Sequence, residues 1–367
     1  MAGLKDALLL INPSRNPGRL KYLRRAAARF GVGTAVVTRD RPHFIREVES
    51  FARGPKRFLL VWGGDGTAHE AINGLMRIKG EGDTREKSVG FLRGGTGNGI
   101  QDSYMVPYRI SRQMAVFAQA IHRDYTLAVD LITVQSGSFQ RWCQLAGVGL
   151  DAAVLARRER HETIGGQVRF PVAGFLSYAS AAVGAVFSEE FRSHPYTVAM
   201  SEGKYAFSGP RVNAEFPFRE IRLNRSSTLL EVGTRPFYGK LFRICPDVVC
   251  NDGSMDVYLF NFASRVSVAR FLPSLWRGRH DRINAGSLRA AMPRIERFEV
   301  KGLRVESDRP FRYHLDGELL EARERGGGIY AIEGRVVPEA IRFLVPPAFH
   351  RLFTPPPGIA GPPGSLV

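Results

Sequence analysis

The chain has little of what marks secreted, zinc-bound or membrane-spanning proteins. Its 367 residues include three cysteines, Cys143, Cys245 and Cys250, an odd number without zinc-like spacing. This count predicts buried or unpaired thiols in a reducing compartment and argues against a disulfide framework. The longest apolar stretch, residues 170–187, is at the short limit for a membrane span and carries Ser and Tyr, so we interpret it as a core or pocket helix. We therefore expect a cytoplasmic protein.

A dense basic run is also missing, although the overall charge is strongly positive. The chain carries 52 Lys and Arg against 35 Asp and Glu, a net charge of +17. Such an excess favours anionic partners, such as nucleotide phosphates or an acidic membrane surface, and a solvated Arg-rich surface explains it equally well. Because the basic residues are spread throughout and no nucleic-acid reading element is recognisable, we do not expect nucleic acid as a partner.

The first third of the chain alternates between apolar runs and helical periodicity. Strands are predicted at 7–12, 34–38, 58–62 and 88–92. Helices are predicted at 18–30, 42–53, 67–79 and 111–124, with Ser111 as the N-cap of the last. Strands that are apolar on both faces, each followed by a helix, predict a parallel sheet covered on both sides. We therefore predict a doubly wound α/β domain over residues 1–127.

The hydrophobic pattern of the sequence changes after about residue 127. Short β-like runs separated by turn residues dominate, and helical patterns near 171–187 and 264–277 interrupt them. This pattern predicts a β-sandwich domain over residues 128–333. The end of the chain, residues 348–367, is rich in Pro and Gly and is predicted to be a disordered tail.

The stretch "GGDGT" lies where a strand ends and a helix begins. Its glycines, Gly63, Gly64 and Gly66, let a ligand approach the backbone closely, and the exposed amides at the helix start favour phosphate. Thr67 and Glu70 have the spacing of a capping box, which we prefer as the explanation of Glu70. Asp65 has no such explanation. It would repel a phosphate unless a cation bridges them or it takes a proton from an attacking hydroxyl, and both are phosphoryl-transfer roles.

Two further polar or glycine-rich loops follow strands of the same predicted sheet. "INPSRNPGR" presents Asn12 and Arg15, and "RGGTGNG" presents Gly95, Thr96, Gly97 and Asn98. Ligands of such sheets bind at the carboxyl ends of the strands. Each loop alone is a weak signal, but three at one edge of one sheet indicate a nucleotide site.

At these residues the chain resembles the diacylglycerol kinase catalytic-domain family, which includes sphingosine kinases, ceramide kinases and bacterial lipid kinases. "GGDGTAHEAINGL", "LLLINPSRNPG" and "GGTGNG" are similar to its nucleotide loops. In the second half the similar segments are "LAGVGLDAAV", "FYGKLFRICPDVVCNDGSMDVYLF" and "HLDGE". These motifs occur in the family's order over about residues 5–345.

The resemblance implies a lipid kinase that transfers the γ-phosphate of ATP, with Mg²⁺, to a lipid hydroxyl. It implies a nucleotide domain and a β-sandwich, and it allows residues 334–347 to return to the first domain. Asp65, Asp316 and Glu318 would be catalytic, and whether Asp65 or Asp316 is the general base stays open. Phosphates would be held by a set from the three loops, with a looser match at Arg169: Asn12, Arg15, Gly63, Gly64, Gly66, Thr67, Gly95, Thr96, Gly97, Asn98 and Arg169.

The resemblance also implies partners for the substrate and the metal. Asp151 would contact the lipid headgroup, as in the sphingosine kinase branch. Glu318 and Asp130 would lie near Mg²⁺, although the end of a strand explains Asp130 equally well. We expect a lipid substrate and peripheral contact with an anionic membrane surface, and a homodimeric assembly is left open.

One position departs from the bacterial diacylglycerol kinase pattern. An acid usually follows the Asn of the second glycine loop, whereas Gly99 follows Asn98 here. The sphingosine and ceramide kinase branch also has a small residue at this position, so glycerolipid specificity is in question. The alternatives are an NAD kinase-like small-molecule kinase and a non-catalytic lipid- or nucleotide-binding regulator of the same fold.

Overall fold

The computed structural model describes residues 3–14, 16–79, 86–155, 194–207, 215–238, 242–262, 264–285 and 293–354. Arg15, Arg169 and the apolar stretch 170–187 lie outside these ranges. The chain divides into two compact units: Met1–Val129 with Glu339–Val367, and Asp130–Pro338.

The first unit contains a parallel sheet. Its strands are β1 (Ala7–Ile11), β2 (Thr34–Val37), β3 (Phe58–Gly63) and β4 (Ser88–Arg93), in the order β2-β1-β3-β4. The end of β19 (Ile329–Leu344) pairs in parallel with β4 at Arg342 and Phe343. Every residue of β1, β3 and β4 is buried, as expected for parallel strands that are covered on both faces. The predicted α/β class is confirmed.

Helices follow the strands of this unit. They are α1 (Leu20–Arg29), α2 (Arg41–Arg53), α3 (Asp65–Lys79), α4 (Gly99–Ser103), α5 (Ile110–Arg123) and α8 (Pro347–Phe353), with short 3₁₀ turns at Leu4–Asp6 and Pro17–Arg19. The N-cap of α5 is Arg109, so the prediction of Ser111 as the cap is wrong. The tail prediction is wrong for residues 348–353, because Phe349 of α8 is buried and packs edge-on against Tyr104 at 5.0 Å between ring centroids.

The second unit is built from strands that pair mainly antiparallel. Its first six strands are β5 (Thr126–Ser136), β6 (Phe139–Cys143), β7 (Leu145–Gly149), β8 (His194–Phe207), β9 (Phe216–Ser227) and β10 (Leu229–Gly233). The first residues of β5 belong to the first unit. Then follow β11 (Phe237–Tyr238), β12 (Phe242–Arg243), β13 (Met255–Phe260), β14 (Ile295–Val300), β15 (Gly302–Ser307), β16 (Arg312–Leu315), β17 (Glu318–Glu321), β18 (Arg323–Gly326) and most of β19. Helices α6 (Arg265–Trp276) and α7 (His280–Ala285) lie between β13 and β14, where the sequence predicts a helix near 264–277.

The order of strands in this unit decides which residues meet. β7 lies between β10 and β16, antiparallel to both. β10 continues to β13 and β14, and β16 continues to β17. Alternate side chains of these strands form a core that includes Val148, Leu230, Val257 and Tyr313. The three cysteines are buried and unpaired, as predicted. No helix of the described ranges is long and apolar enough to cross a membrane.

Candidate active site

The first glycine loop joins β3 to α3 with one residue between them. A Cβ on Gly63 would lie 2.6 Å from Thr67 Oγ1, and a Cβ on Gly64 would lie 2.9 Å from the Cα of Gly95. Glycine is required at both positions because no side chain fits. Gly66 is different: a Cβ there would meet no protein atom within 4 Å, and its φ is not in the left-handed region. Nothing in the described fold requires glycine at position 66.

The second glycine loop packs directly against the first. A Cβ on Gly95 would lie 2.7 Å from the carbonyl oxygen of Gly97. The Asn98 side chain closes the loop, since its Nδ2 donates to Gly95 O at 2.9 Å and its Oδ1 accepts from Gly95 N at 3.3 Å. Gln101 Nε2 donates to Gly63 O at 3.2 Å. Thr96, at the tip, is exposed. The two loops therefore form one continuous backbone surface.

Asp65 has a structural partner that its sequence position does not reveal. It is the first residue of α3, and its Oδ1 accepts a hydrogen bond from Ile100 N, in the first turn of α4, at 3.0 Å. A carboxylate at a helix N-terminus is stabilised by the helix dipole. The residue is only half-buried. Asp65 thus ties the second glycine loop to the first while part of it stays accessible.

The loop after β1 is hydrogen-bonded to both glycine loops. Asn12 Nδ2 donates to Thr67 Oγ1 at 3.1 Å, and Asn16 Nδ2 donates to Gly94 O at 2.6 Å.

The predicted capping box is wrong, because α3 begins at Asp65 and Thr67 lies inside its first turn. Glu70 instead forms an ion pair with Arg41.

The nearby Asp102 does not take the place of the acid that is missing at position 99, because it is held in an ion pair. Gly99 is the buried first residue of α4, and Asp102, three residues later, pairs with Arg93 at 2.6 Å. Both side chains of this pair are at most 7% exposed. Asp102 is therefore committed to a buried ion pair within the first unit.

In the second unit three ionisable side chains converge over one glycine. Gly147, in the middle of β7, is directly opposite Glu231 on β10 and His314 on β16. Side chains at directly paired positions point to the same face of a sheet. Asp151 reaches this face from the helical turn at residues 150–155. A Cβ on Gly147 would lie 2.5 Å from His314 Nε2 and still closer to both carboxylates, so only glycine leaves room for them.

The charges of this cluster are strongly coupled. His314 is fully buried, pairs with Asp151, and has Glu231 Oε2 at 3.5 Å from its Nε2. Burial lowers the pKa of His314, but the carboxylates of Asp151 and Glu231 outweigh it and raise that pKa to about 10. Burial, partly offset by His314, raises the pKa of Glu231 to about 8. The cluster therefore keeps protons at neutral pH that its members would otherwise lose.

An apolar cavity of about 100 Å³ adjoins Asp151. It is lined by residues of the helical turn at 150–155, of the segment 228–262 and of α6: Leu150, Asp151, Val154, Thr228, Leu229, Tyr238, Phe242, Ile244, Phe260, Phe262, Val268, Leu272, Leu275 and Trp276. Asp151 is the single charged residue among these described lining residues. Its side chain is 13% exposed.

The Asp-Gly-Glu motif forms the turn between β16 and β17. Asp316 has a φ of 49° and is 6% exposed. Its carboxylate accepts from the amides of Gln144 and Leu145, at 3.3 and 3.0 Å, and pairs with Arg235 at 3.2 Å. Glu318 begins β17 and is half-buried. Asp316 therefore organises a buried network, whereas Glu318 reaches the surface.

Asp130 is enclosed. It is fully buried, and its Oδ2 accepts from the amide of Gly253, which has a φ of 76°, at 2.7 Å. This contact holds the turn before β13 against β5. The position favours a structural role for Asp130 over metal binding.

Sequence reasoning missed Glu231 and His314. Glu231 carries no local signal, because its place beside Asp151 depends on the pairing of strands about 80 residues apart in sequence. His314 lies within the "HLDGE" motif. The glycine at position 147, within "GVG", is the local signal that other side chains approach this strand closely.

Comparisons with known proteins agree with this architecture. Residues 6–134 match the diacylglycerol kinase catalytic domain, and residues 145–345 match the YegS C-terminal NAD kinase beta sandwich-like domain. A diacylglycerol kinase of Mycobacterium tuberculosis (strain H37Rv) is 22% identical over 268 residues, covering 71% of this chain and 72% of its own. The "Probable lipid kinase YegS-like" protein of Stenotrophomonas maltophilia (strain K279a) is 24% identical over 279 residues, covering 76% of this chain and 77% of its own.

Solved structures show the same fold. The crystal structure of a diacylglycerol kinase from Bacillus anthracis (strain Sterne) aligns with a TM-score of 0.58 at 15% identity, covering 94% of this chain and 97% of that one. The two matched domains define an enzyme of the lipid kinase class. The chain belongs to the family that joins a diacylglycerol kinase catalytic domain to a YegS-type C-terminal domain.

Proposed function

We propose that the protein transfers the γ-phosphate of ATP, in the presence of Mg²⁺, to a hydroxyl of a lipid such as diacylglycerol, sphingosine or ceramide. The observation that carries the proposal is the apolar cavity whose single charged residue, among the described lining residues, is Asp151. A lipid has the matching chemistry: an apolar chain for the cavity and a hydroxyl-bearing headgroup that donates to a carboxylate.

The nucleotide phosphates are assigned to the glycine loops of the first unit. Gly66 supports this assignment, because it is exposed, sits in the first turn of a 15-residue helix and has open space where a side chain would be. Backbone amides at such a helix start bind phosphate well. Thr67, Gly95, Thr96, Gly97 and Asn98 complete the surface. Phosphate oxygens approach this surface closely only if position 66 has no side chain.

Asp65 is the better candidate for the general base. Asp316 already accepts from two amides and from Arg235, and such bonds stabilise the ionised carboxylate and make it a poor proton acceptor. Asp65 accepts one backbone amide and is partly accessible. In the proposed step Asp65 takes the proton of the lipid hydroxyl. The hydroxyl oxygen then bonds to the γ-phosphorus as the bond to the β–γ bridging oxygen breaks, and ADP leaves.

Glu318 is the carboxylate that would hold Mg²⁺, since hard cations prefer oxygen ligands and this side chain is partly exposed. When bound, the ion neutralises charge on the phosphates. Asp130 is enclosed and hydrogen-bonded to a backbone amide, so it does not suit a metal that must also contact substrate.

A membrane contact fits the helix that covers the cavity. Leu272, Leu275 and Trp276 of α6 line the cavity. Elsewhere on α6, Val266 is 73% exposed and Arg270 is also exposed. A helix with basic and apolar exposed residues suits an anionic lipid surface. We therefore propose that the protein takes its lipid substrate from an anionic membrane surface that α6 contacts.

The test is a panel of acceptors with labelled ATP and Mg²⁺: diacylglycerol, monoacylglycerol, sphingosine, ceramide and NAD. We expect at least one lipid to be phosphorylated and NAD not to be. Asp65→Asn should abolish turnover and leave ATP binding measurable, because the amide cannot take the proton. Transfer to NAD alone, or to none of the acceptors, contradicts the proposal.

A further inference from the structure

The cluster over Gly147 is a built feature of the fold. Three strands bring Glu231, Gly147 and His314 into one row, and the chain then turns back to place Asp151 above the same glycine. Glu231 is 1% exposed and His314 is fully buried. Two acids and one imidazole are costly to bury unless each compensates the others.

His314 contacts both carboxylates through one atom. Its Nε2 lies against Asp151 Oδ2 and 3.5 Å from Glu231 Oε2. Its other nitrogen, Nδ1, lies 3.4 Å from the amide nitrogen of Gly317. The proton that the ring shares with the acids is on Nε2, the nitrogen that faces both carboxylates. Tyr238 packs against the ring, with centroids 4.9 Å apart, and limits its rotation.

We propose that His314 is a positioning residue for lipid binding: its Nε2–H holds the carboxylate of Asp151 at the wall of the apolar cavity, and Glu231 on its other side keeps the ring in place. This inference rests on the proposed function, in which Asp151 receives the lipid headgroup. His314 itself does not line the cavity. Its effect on the lipid is exerted through Asp151, whose other oxygen accepts from Ala152 N at 2.7 Å.

A divalent metal is the alternative occupant of this cluster, because the three ligand atoms lie within 4.8 Å of one another. A metal-bound histidine donates its second ring N–H to an acceptor. Here the second nitrogen faces a donor, the Gly317 amide. The hydrogen-bond pattern therefore favours a proton between the three side chains, and metal binding becomes an outcome of the test.

The experiment compares His314→Gln, which keeps an N–H donor of similar reach, with His314→Leu, which has none. His280→Gln is the matched control: His280 is also buried, at 5% exposed, in the same unit, and it packs against Tyr258 and Phe260. For each variant, the KM for lipid and the KM for ATP are measured separately. Lipid affinity without turnover is read from the change in intrinsic tryptophan fluorescence on lipid addition, to which Trp276 in the cavity wall contributes.

We expect His314→Leu to raise the lipid KM and the lipid dissociation constant about tenfold, as the loss of one hydrogen bond to a charged group predicts. The KM for ATP should stay unchanged, and His314→Gln should recover most of the lipid affinity. His280→Gln should change neither constant, whatever it does to stability. A lipid affinity in His314→Leu equal to that of the wild type overturns the inference.

Two further results distinguish a positioning role for His314 from a metal site, and test it independently of kinase activity. One equivalent of tightly bound metal in the wild-type protein, lost in His314→Leu, overturns the inference in favour of a metal site. Lipid binding that depends on His314, without any phosphorylation, refutes the proposed function and leaves the inference standing. If His314→Leu phosphorylates the lipid with an unchanged lipid KM, the proposed function stands and the positioning role of His314 is refuted.

Discussion

Gly66→Ala separates the needs of the fold from the needs of the ligand. Gly66 is the second residue of α3, with an ordinary φ and open space around its missing Cβ. Replacing a glycine by alanine at such a compatible site stabilises by about 0.4–1 kcal/mol, because the unfolded chain loses conformational freedom. For a domain of this size that corresponds to roughly 1–4 °C in Tm. We therefore expect a variant at least as stable as the wild type.

The same methyl group should be harmful to the reaction. If phosphate oxygens approach the backbone at position 66, the methyl blocks at least one hydrogen bond to a charged group, worth about 1.5–3 kcal/mol. The value of kcat/KM for ATP should then fall at least about tenfold. The assay is a kinase titration with varied ATP at saturating lipid, beside a thermal melt of the same preparation.

Two controls define the result. Gly3→Ala also meets no protein atom within 4 Å and should leave ATP use unchanged. Gly95→Ala, whose Cβ would lie 2.7 Å from Gly97 O, should lower the Tm because the backbone must shift. An active Gly66→Ala enzyme with unchanged KM for ATP would refute the placement of phosphates at this loop.

Three other outcomes are expected. Asp316→Asn leaves Arg235 as a buried charge with a weaker partner, so denaturant unfolding should show a loss of roughly 3 kcal/mol; a loss below about 1 kcal/mol would contradict the buried-pair argument. Leu272→Trp partly fills the apolar cavity and should raise the KM for lipid several-fold while the KM for ATP stays constant; equal changes in both would remove the cavity from lipid binding. Burial lowers the pKa of His280 from 6.5 to about 3, so the folded protein binds fewer protons there than the unfolded chain. The stability from the neutral ring is present above pH 6.5 and lost as the pH falls towards 3, and His280→Phe should flatten this acid loss in denaturation midpoints measured between those values.

Much of the first unit could be predicted from local pattern. Continuous apolar runs predicted β1, β3 and β4, which are buried at every residue, and helical periodicity predicted α1 to α3 within about two residues. The errors were at helix ends. Ser111 and Thr67 had the residue types of caps, yet the helices begin one and two residues earlier, because tertiary contacts such as Asn12 with Thr67 compete with local capping.

The candidate site was predicted in its parts and not in its connections. The glycine loops and Asp65 were recognisable because strand-loop-helix chemistry is local. The bond from Asp65 to Ile100 joins residues 35 positions apart, and no spacing rule predicts it. Asp102, which stands near the expected acid at position 99, is committed to Arg93, and only the folded structure reveals this pair.

The sequence by itself determined the α/β and β-rich halves, the three polar or glycine-rich loops and the lipid kinase resemblance, because periodicity and short motifs are properties of neighbouring residues. Tertiary structure decided the cluster of Asp151, Glu231 and His314 over Gly147. It also decided the apolar cavity beside that cluster. Both depend on which strands pair and in what register, and a shift of one residue in a strand would turn its side chains to the opposite face of the sheet.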